Sequence, residues 1–247
     1  MSKRVRLFVS YDGTGYHGWQ IQNNVLTVEQ VITEALQKLT GEEIEIYGAS
    51  RTDAGVHALQ NVAVFDTESS IPAEKFAFAL NSGLPEDIRI TSSDEVDSSW
   101  HPRYVNSVKT YVYTLYTGKI MNPIRRLYTY HFYNKIDLDK MREASACLVG
   151  EHDFKSFCQS DAQVNSTVRT VLSIDIWEEG EEVKFKIKGT GFLYNMVRII
   201  VGTLLEVGVG RKNPAWVKEV LEKKDRTAAG PTAPAKGLTL YQYEFEN

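Results

Sequence analysis

Strand-like alternation and helix-like stripes interleave along the whole chain, which confines it to a mixed α and β fold. Residues 4–10 alternate, with Val5, Leu7 and Val9 on one face. Residues 28–39 put Val28, Ile32, Leu36 and Leu39 on one helical stripe; a capping box of Thr27 and Gln30 opens it, and Gly41 sits at its stop. Strands are expected at 43–48, 61–66 and 88–91, with a helix after Pro72 that carries Phe76 and Leu80. A second series follows. It comprises strands at 109–116 and 127–133, a helix at 138–149 between Asp137 and Gly150, and a hairpin of 169–177 with 183–188. An almost wholly apolar helix at 193–207, a shorter helix after Pro214 and a strand at 238–245 complete it. The expectation is an α+β fold of two subdomains, 1–105 and 106–247, each a mainly antiparallel sheet covered by helices, meeting at a central cleft.

A chain of 247 residues, 43% of them hydrophobic, can bury a core without covalent staples. Cys147 and Cys158 form no CxxC pair, and the opening MSKRVRLFVSYDG alternates where a secretory signal would be continuously apolar. Both features point to a cytoplasmic protein, and no apolar run approaches the roughly 20 residues of a membrane helix. A formal net charge of −4 weighs against a nucleic-acid binder unless the basic residues gather on one face.

Two patterns suggest chemistry that their context does not support. Gly13-Thr14-Gly15-Tyr16-His17-Gly18 fits GxGxxG after a strand, but the next helix waits until about residue 28, whereas a dinucleotide site needs it at once. These glycines are better read as permitting a tight loop. Ser50, Asp53 and His57 have the residue types of a hydrolase triad without a GxSxG elbow. The histidines at 17, 57, 101, 131 and 152 show no HExxH or paired ligand spacing, so no metal is expected.

Three features remain. Gly48 to Ala58 leaves a strand and sets small residues around one acid, Asp53, which suits either a reactive carboxylate or a turn capped by aspartate. Arg198 is flanked by apolar residues in the helix at 193–207, so its guanidinium either meets a carboxylate from elsewhere, with Asp53 the leading candidate, or reaches solvent at the helix edge. On the strand at 109–116, Tyr111, Tyr113 and Leu115 share a face; Tyr113 reads as core, while Tyr111 is either core or a platform for an unstacked base.

The order and spacing of these segments resemble the tRNA pseudouridine synthase A (TruA) family over nearly the whole chain. The resemblance rests on Tyr11-Asp12-Gly13 through Gly18-Trp19-Gln20-Ile21-Gln22, and on Arg51-Thr52-Asp53-Ala54-Gly55-Val56-His57. Lys109-Thr110-Tyr111-Val112-Tyr113, Gly150-Glu151-His152-Asp153-Phe154, Asn195-Met196-Val197-Arg198 and Ala233-Pro234-Ala235-Lys236-Gly237-Leu238 continue it. Ser50 stands where the family has Gly, and Asn61 where Gln is common; neither is a reacting group. The resemblance implies isomerisation of uridine to pseudouridine at nucleotides 38–40 of the tRNA anticodon arm, by a cytoplasmic homodimer with no cofactor. It further implies Asp53 as nucleophile, Tyr111 against the target uracil, Arg198 paired with Asp53, and Arg51 bracing the space left by the flipped nucleotide. A non-catalytic RNA-binding protein on the same scaffold and a nucleotide-dependent oxidoreductase are the alternatives.

Overall fold

In the computed structural model, which describes residues 2–159 and 165–245, the opening alternation forms strand β1 (Lys3–Tyr11) with Val5, Leu7 and Val9 fully buried. The chain divides into two compact units. One holds the residues up to Asn106 together with those from Leu240 onward; the other is Ser107–Thr239. The last strand therefore groups with the first unit, whereas a division after residue 105 assigns it to the second.

In the first unit β1 lies between β3 (His57–Thr67) and β4 (Ile88–Val96), antiparallel to both. The strand β10 (Leu238–Phe245), from Leu240 on, follows β3 in the order β4–β1–β3–β10. Helix α1 (Val28–Thr40) is built as its sequence requires. The Thr27 hydroxyl accepts from the Gln30 amide at 3.4 Å, and Gly41 stops the helix at φ 73° with its N–H on Gln37 O. Helix α2 (Phe76–Asn81) sets Phe76 edge-on to Phe65, 5.2 Å between centroids. Only Tyr47–Gly48 of the expected strand at 43–48 pairs, as β2 on β3. Ile44 and Ile46 are buried all the same, so their alternation records burial of an extended segment and not a full ladder.

In the second unit β5 (Ser107–Tyr116), β9 (Glu182–Gly189), β8 (Val168–Glu179) and β7 (Gly150–Asp153) form an antiparallel run in that order. The expected hairpin of β8 and β9 turns at Gly180, φ 62°. The strand expected at 127–133 shrinks to β6 (Tyr130–His131), parallel to the end of β5. Helix α3 (Leu138–Ser145) starts at the Asp137 cap and tightens over Ala146–Leu148, so the α-helix ends four residues before its expected limit of 149. Helices α4 (Met196–Gly208) and α5 (Trp216–Lys223) follow. Almost every side chain of α4 is buried except those of Arg198 and Glu206, in line with its apolar sequence. Among the described residues no helix is long and apolar enough to cross a membrane. The fold is mixed α and β with mainly antiparallel strands.

Candidate active site

The first unit holds Asp53 in the loop between β2 and β3, and clamps act on the backbone to either side of it. The Trp19 amide donates to Thr52 O (3.1 Å), the Gly55 amide to Tyr16 O (3.2 Å), and the Val56 amide to Asp53 O (3.1 Å). Such close approach explains the glycines that imitate a nucleotide-binding motif. A Cβ on Gly13 would stand 2.0 Å from Val56 O, and one on Gly18, at φ +86°, 2.4 Å from Thr52 O. These glycines admit the backbone of the Asp53 loop where a dinucleotide site would admit a pyrophosphate.

Buried side chains add a second set of clamps. The Tyr11 hydroxyl lies 2.7 Å from Thr52 Oγ1, and burial holds that phenol well above its usual pKa. Asn61 donates to Ser50 O at 3.0 Å and to the Tyr11 hydroxyl at 3.4 Å. The two departures from the family pattern, Ser50 and Asn61, therefore meet in one hydrogen bond. The Ser50 hydroxyl itself is buried without a hydrogen-bond partner among the described residues. Buried His57 sets Nδ1 3.0 Å from the Gly13 amide and 3.1 Å from Asp12 Oδ1, which makes it a structural anchor of the loop. Asp53 is half-buried and Arg51 exposed.

The second unit holds Tyr111 and Arg198. Tyr111 is only 7% exposed and meets Phe192 edge-on at 5.2 Å. Tyr113 is fully buried, as expected of a core residue, and its hydroxyl donates to Pro234 O at 2.8 Å. Half-buried Arg198 donates from Nε to Ala233 O (2.8 Å) and from one terminal nitrogen to Asn195 Oδ1 (2.7 Å). The Ala233 amide returns a bond to Arg198 O at 3.1 Å. The loop that supplies Ala233 is seated directly on α4, since a Cβ on Gly202 would fall 1.7 Å from Pro231 O. Glu206, on the same helix, pairs with Arg211 at 2.9 Å.

Asn195 is a functional candidate that sequence reasoning left unassigned. It occupies the N-cap of α4 in the left-handed region, φ 61°, without the usual capping hydrogen bond. Its side-chain oxygen goes to Arg198 instead. An Asn three residues before the lone arginine of an apolar helix is the only trace of this in the sequence. Among the described residues no group of three or more His, Cys, Asp or Glu side chains could hold a metal ion.

A family model for tRNA pseudouridine synthases matches residues 7–105 and 144–246. The tRNA pseudouridine synthase A of Brevibacillus brevis is 48% identical over 243 residues, 98% of this chain and 100% of that protein. That of Acetivibrio thermocellus is 46% identical with the same coverage. The chain belongs to the tRNA pseudouridine synthase A family. The family makes it an isomerase that modifies tRNA. Asp53 and Arg51 fall in the first matched segment and Arg198 in the second, while Tyr111 lies between them. Among solved structures, a chain of the archaeal box H/ACA Nop10–Cbf5 complex aligns with 92% of this synthase and 60% of its own length, at 14% identity and a TM-score of 0.35.

Proposed function

We propose that this synthase converts uridine to pseudouridine at nucleotides 38, 39 and 40 in the anticodon arm of tRNA, as a cytoplasmic homodimer, with Asp53 as nucleophile. The bond from ribose C1′ to uracil N1 breaks, the base turns, C1′ joins C5, the C5 hydrogen leaves as a proton, and N1 takes one up. A carboxylate supports this as a covalent or charge-stabilising partner, and the overall change is neither oxidation nor reduction. Arg198 pairs with Asp53, Tyr111 contacts the uracil, and Arg51 braces the space the flipped nucleotide leaves.

The observation that carries the proposal is the clamping of the chain on both sides of Asp53, by Asn61 at Ser50, Tyr11 and Trp19 at Thr52, and Tyr16 at Gly55. A merely structural turn does not need that degree of fixation, whereas a reacting carboxylate does. The test is tritium release from tRNA labelled at uridine C5, followed by mapping of the modified positions. Asp53→Asn should lower the rate at least about a thousandfold while leaving tRNA affinity within a few-fold. Full-rate release by Asp53→Asn would remove Asp53 from the chemistry. Product at nucleotides outside 38–40 would reject the assigned positions.

A further inference from the structure

The segment after β4 has no regular secondary structure, yet it is tied down at nearly every residue. Arg4 donates to Trp100 O at 3.1 Å, and the buried Tyr243 hydroxyl to Pro102 O at 3.2 Å. The Tyr104 amide donates to His101 O at 3.0 Å, and the Arg103 amide to His101 Nδ1 at 3.2 Å. Arg103 Nε reaches Gly48 O at 3.0 Å, at the start of the segment that carries Asp53. At the tip of this fixed turn stands Tyr104, 85% exposed. Its ring stacks on His101, 4.5 Å between centroids at 28°, and His101 packs in turn against Tyr47 at 5.5 Å.

A rigid, solvent-facing aromatic ring serves no core. Its support is a neutral imidazole: Nδ1 accepts a hydrogen bond, and burial, then Arg103 and Arg4, hold the His101 pKa below its ordinary value. Arg103, the chain neighbour of Tyr104, is exposed, as are Ser98, Ser99 and Asn106 of the same segment, so its exposed side chains besides Tyr104 are polar or charged and not apolar. Asp97, the acid of the same turn, is occupied by the amide and hydroxyl of Ser99. A cavity of about 340 Å³, whose lining includes Gln20, Glu45, Tyr47 and Arg103, adjoins the stack. Because the ring is already ordered, stacking a planar ligand on it loses little side-chain entropy.

From this geometry we infer that Tyr104, supported by His101 and Tyr47, is a stacking platform for an unpaired base of the RNA substrate, with Arg103 as the cation for that nucleotide's phosphate. The inference rests on the proposal that RNA is the substrate, and it adds a contact next to the Asp53 loop. Base-on-aromatic stacking tolerates any base, so the platform positions the RNA and does not read its sequence.

Steady-state kinetics on tRNA, with filter binding of an anticodon stem-loop and of a fully paired duplex, test it. Tyr104→Ala should raise KM and the stem-loop Kd about tenfold and leave kcat within about twofold. Tyr104→Phe should restore both, and duplex affinity should not respond to either substitution. With a ring so exposed, the thermal midpoints of both variants should match wild type. An unchanged stem-loop Kd in Tyr104→Ala overturns the platform, as does an equal loss on the duplex. Conversion of a dimer to a monomer with unchanged Kd also overturns it, because the ring would then be a protein contact. The binding measurements decide the platform even if wild type makes no pseudouridine, a result that would count against the proposed activity alone.

Discussion

The Asp53 loop and the Arg198 helix are fastened in opposite ways. Around Asp53 the structure fixes backbone: Thr52 O is held by Trp19, Gly55 N by Tyr16, and the Ser50 carbonyl by Asn61. Around Arg198 the backbone is already a helix, and the structure grips the side chain, by Ala233 O and Asn195 Oδ1. The difference follows from what each group is. An aspartate has a short side chain, so its position is set once its backbone is set. An arginine has four rotatable bonds before its guanidinium and wanders unless two of its nitrogens are engaged.

The glycines beneath the two regions offer the harshest test of that contrast. Gly18→Ala brings a methyl to 2.4 Å from Thr52 O at φ +86°, and Gly202→Ala brings one to 1.7 Å from Pro231 O. Each should lower stability by about 3 kcal/mol, read from urea midpoints. Both should also lower kcat about a hundredfold, because a displacement of roughly 1 Å suffices for that. Gly41→Ala is the control, with φ +73° but nothing within 4 Å. It should lose about 1 kcal/mol and keep its kcat. Equal kcat in all three variants would mean that close packing at Gly18 and Gly202 does not position the reacting groups.

A smaller effect is expected at Asn195, where backbone and side-chain roles can be separated. Asn195→Gly keeps the left-handed conformation and removes the acceptor for Arg198. Asn195→Asp keeps both. Asn195→Gly should lower kcat about tenfold with little change in KM, and Asn195→Asp should recover most of it. A loss in Asn195→Asp as large as in Asn195→Gly would make the residue a helix start and nothing more.

Legibility in the sequence divides along the same line. Elements set by local period were readable: α1 with its capping Thr27, the β8–β9 hairpin, and α4 with its unbroken apolar run. β2 was overestimated because buried side chains alternate whether or not the backbone pairs, and β6 because 127–133 is rich in aromatic residues that favour strands, although only Thr129 among them is buried. β7 was missed because Gly150-Glu151-His152-Asp153 has no β-branched or apolar residue to mark it. For the candidate site, the small residues around Asp53 and the lone cation in α4 were visible as chemistry. The service of Gly13 and Gly18 was not, since close approach depends on which backbone arrives from residues 52–56. Tyr104 carried no signal at all, because an aromatic in an irregular segment has no period from which exposure could be read.

Each region also has a buried tyrosine hydroxyl, Tyr11 on Thr52 and Tyr113 on Pro234 O, and these give the finest comparison. Tyr11→Phe leaves the Thr52 hydroxyl and an Asn61 amide hydrogen short of a partner, whereas Tyr113→Phe leaves one carbonyl. The losses at neutral pH should be about 2 and about 1 kcal/mol. Alkaline pH supplies a second measure. Burial raises both phenols above the ordinary value of 10, so the folded protein keeps protons that the unfolded chain gives up. Stability from each is therefore complete below pH 10 and declines above it, by up to about 1.4 kcal/mol per pH unit per tyrosine until the folded group ionises. Tyr16, raised by burial and by its hydrogen bond to Asp87, is common to both variants and cancels between them. Urea midpoints at pH 9 and pH 11 should fall less in Tyr11→Phe and in Tyr113→Phe than in wild type, and least in the double variant. A wild-type slope in Tyr11→Phe alone would mean that the phenol beside the Asp53 loop is hydrated in solution, and the fastening of that loop would then rest on Asn61 and the backbone.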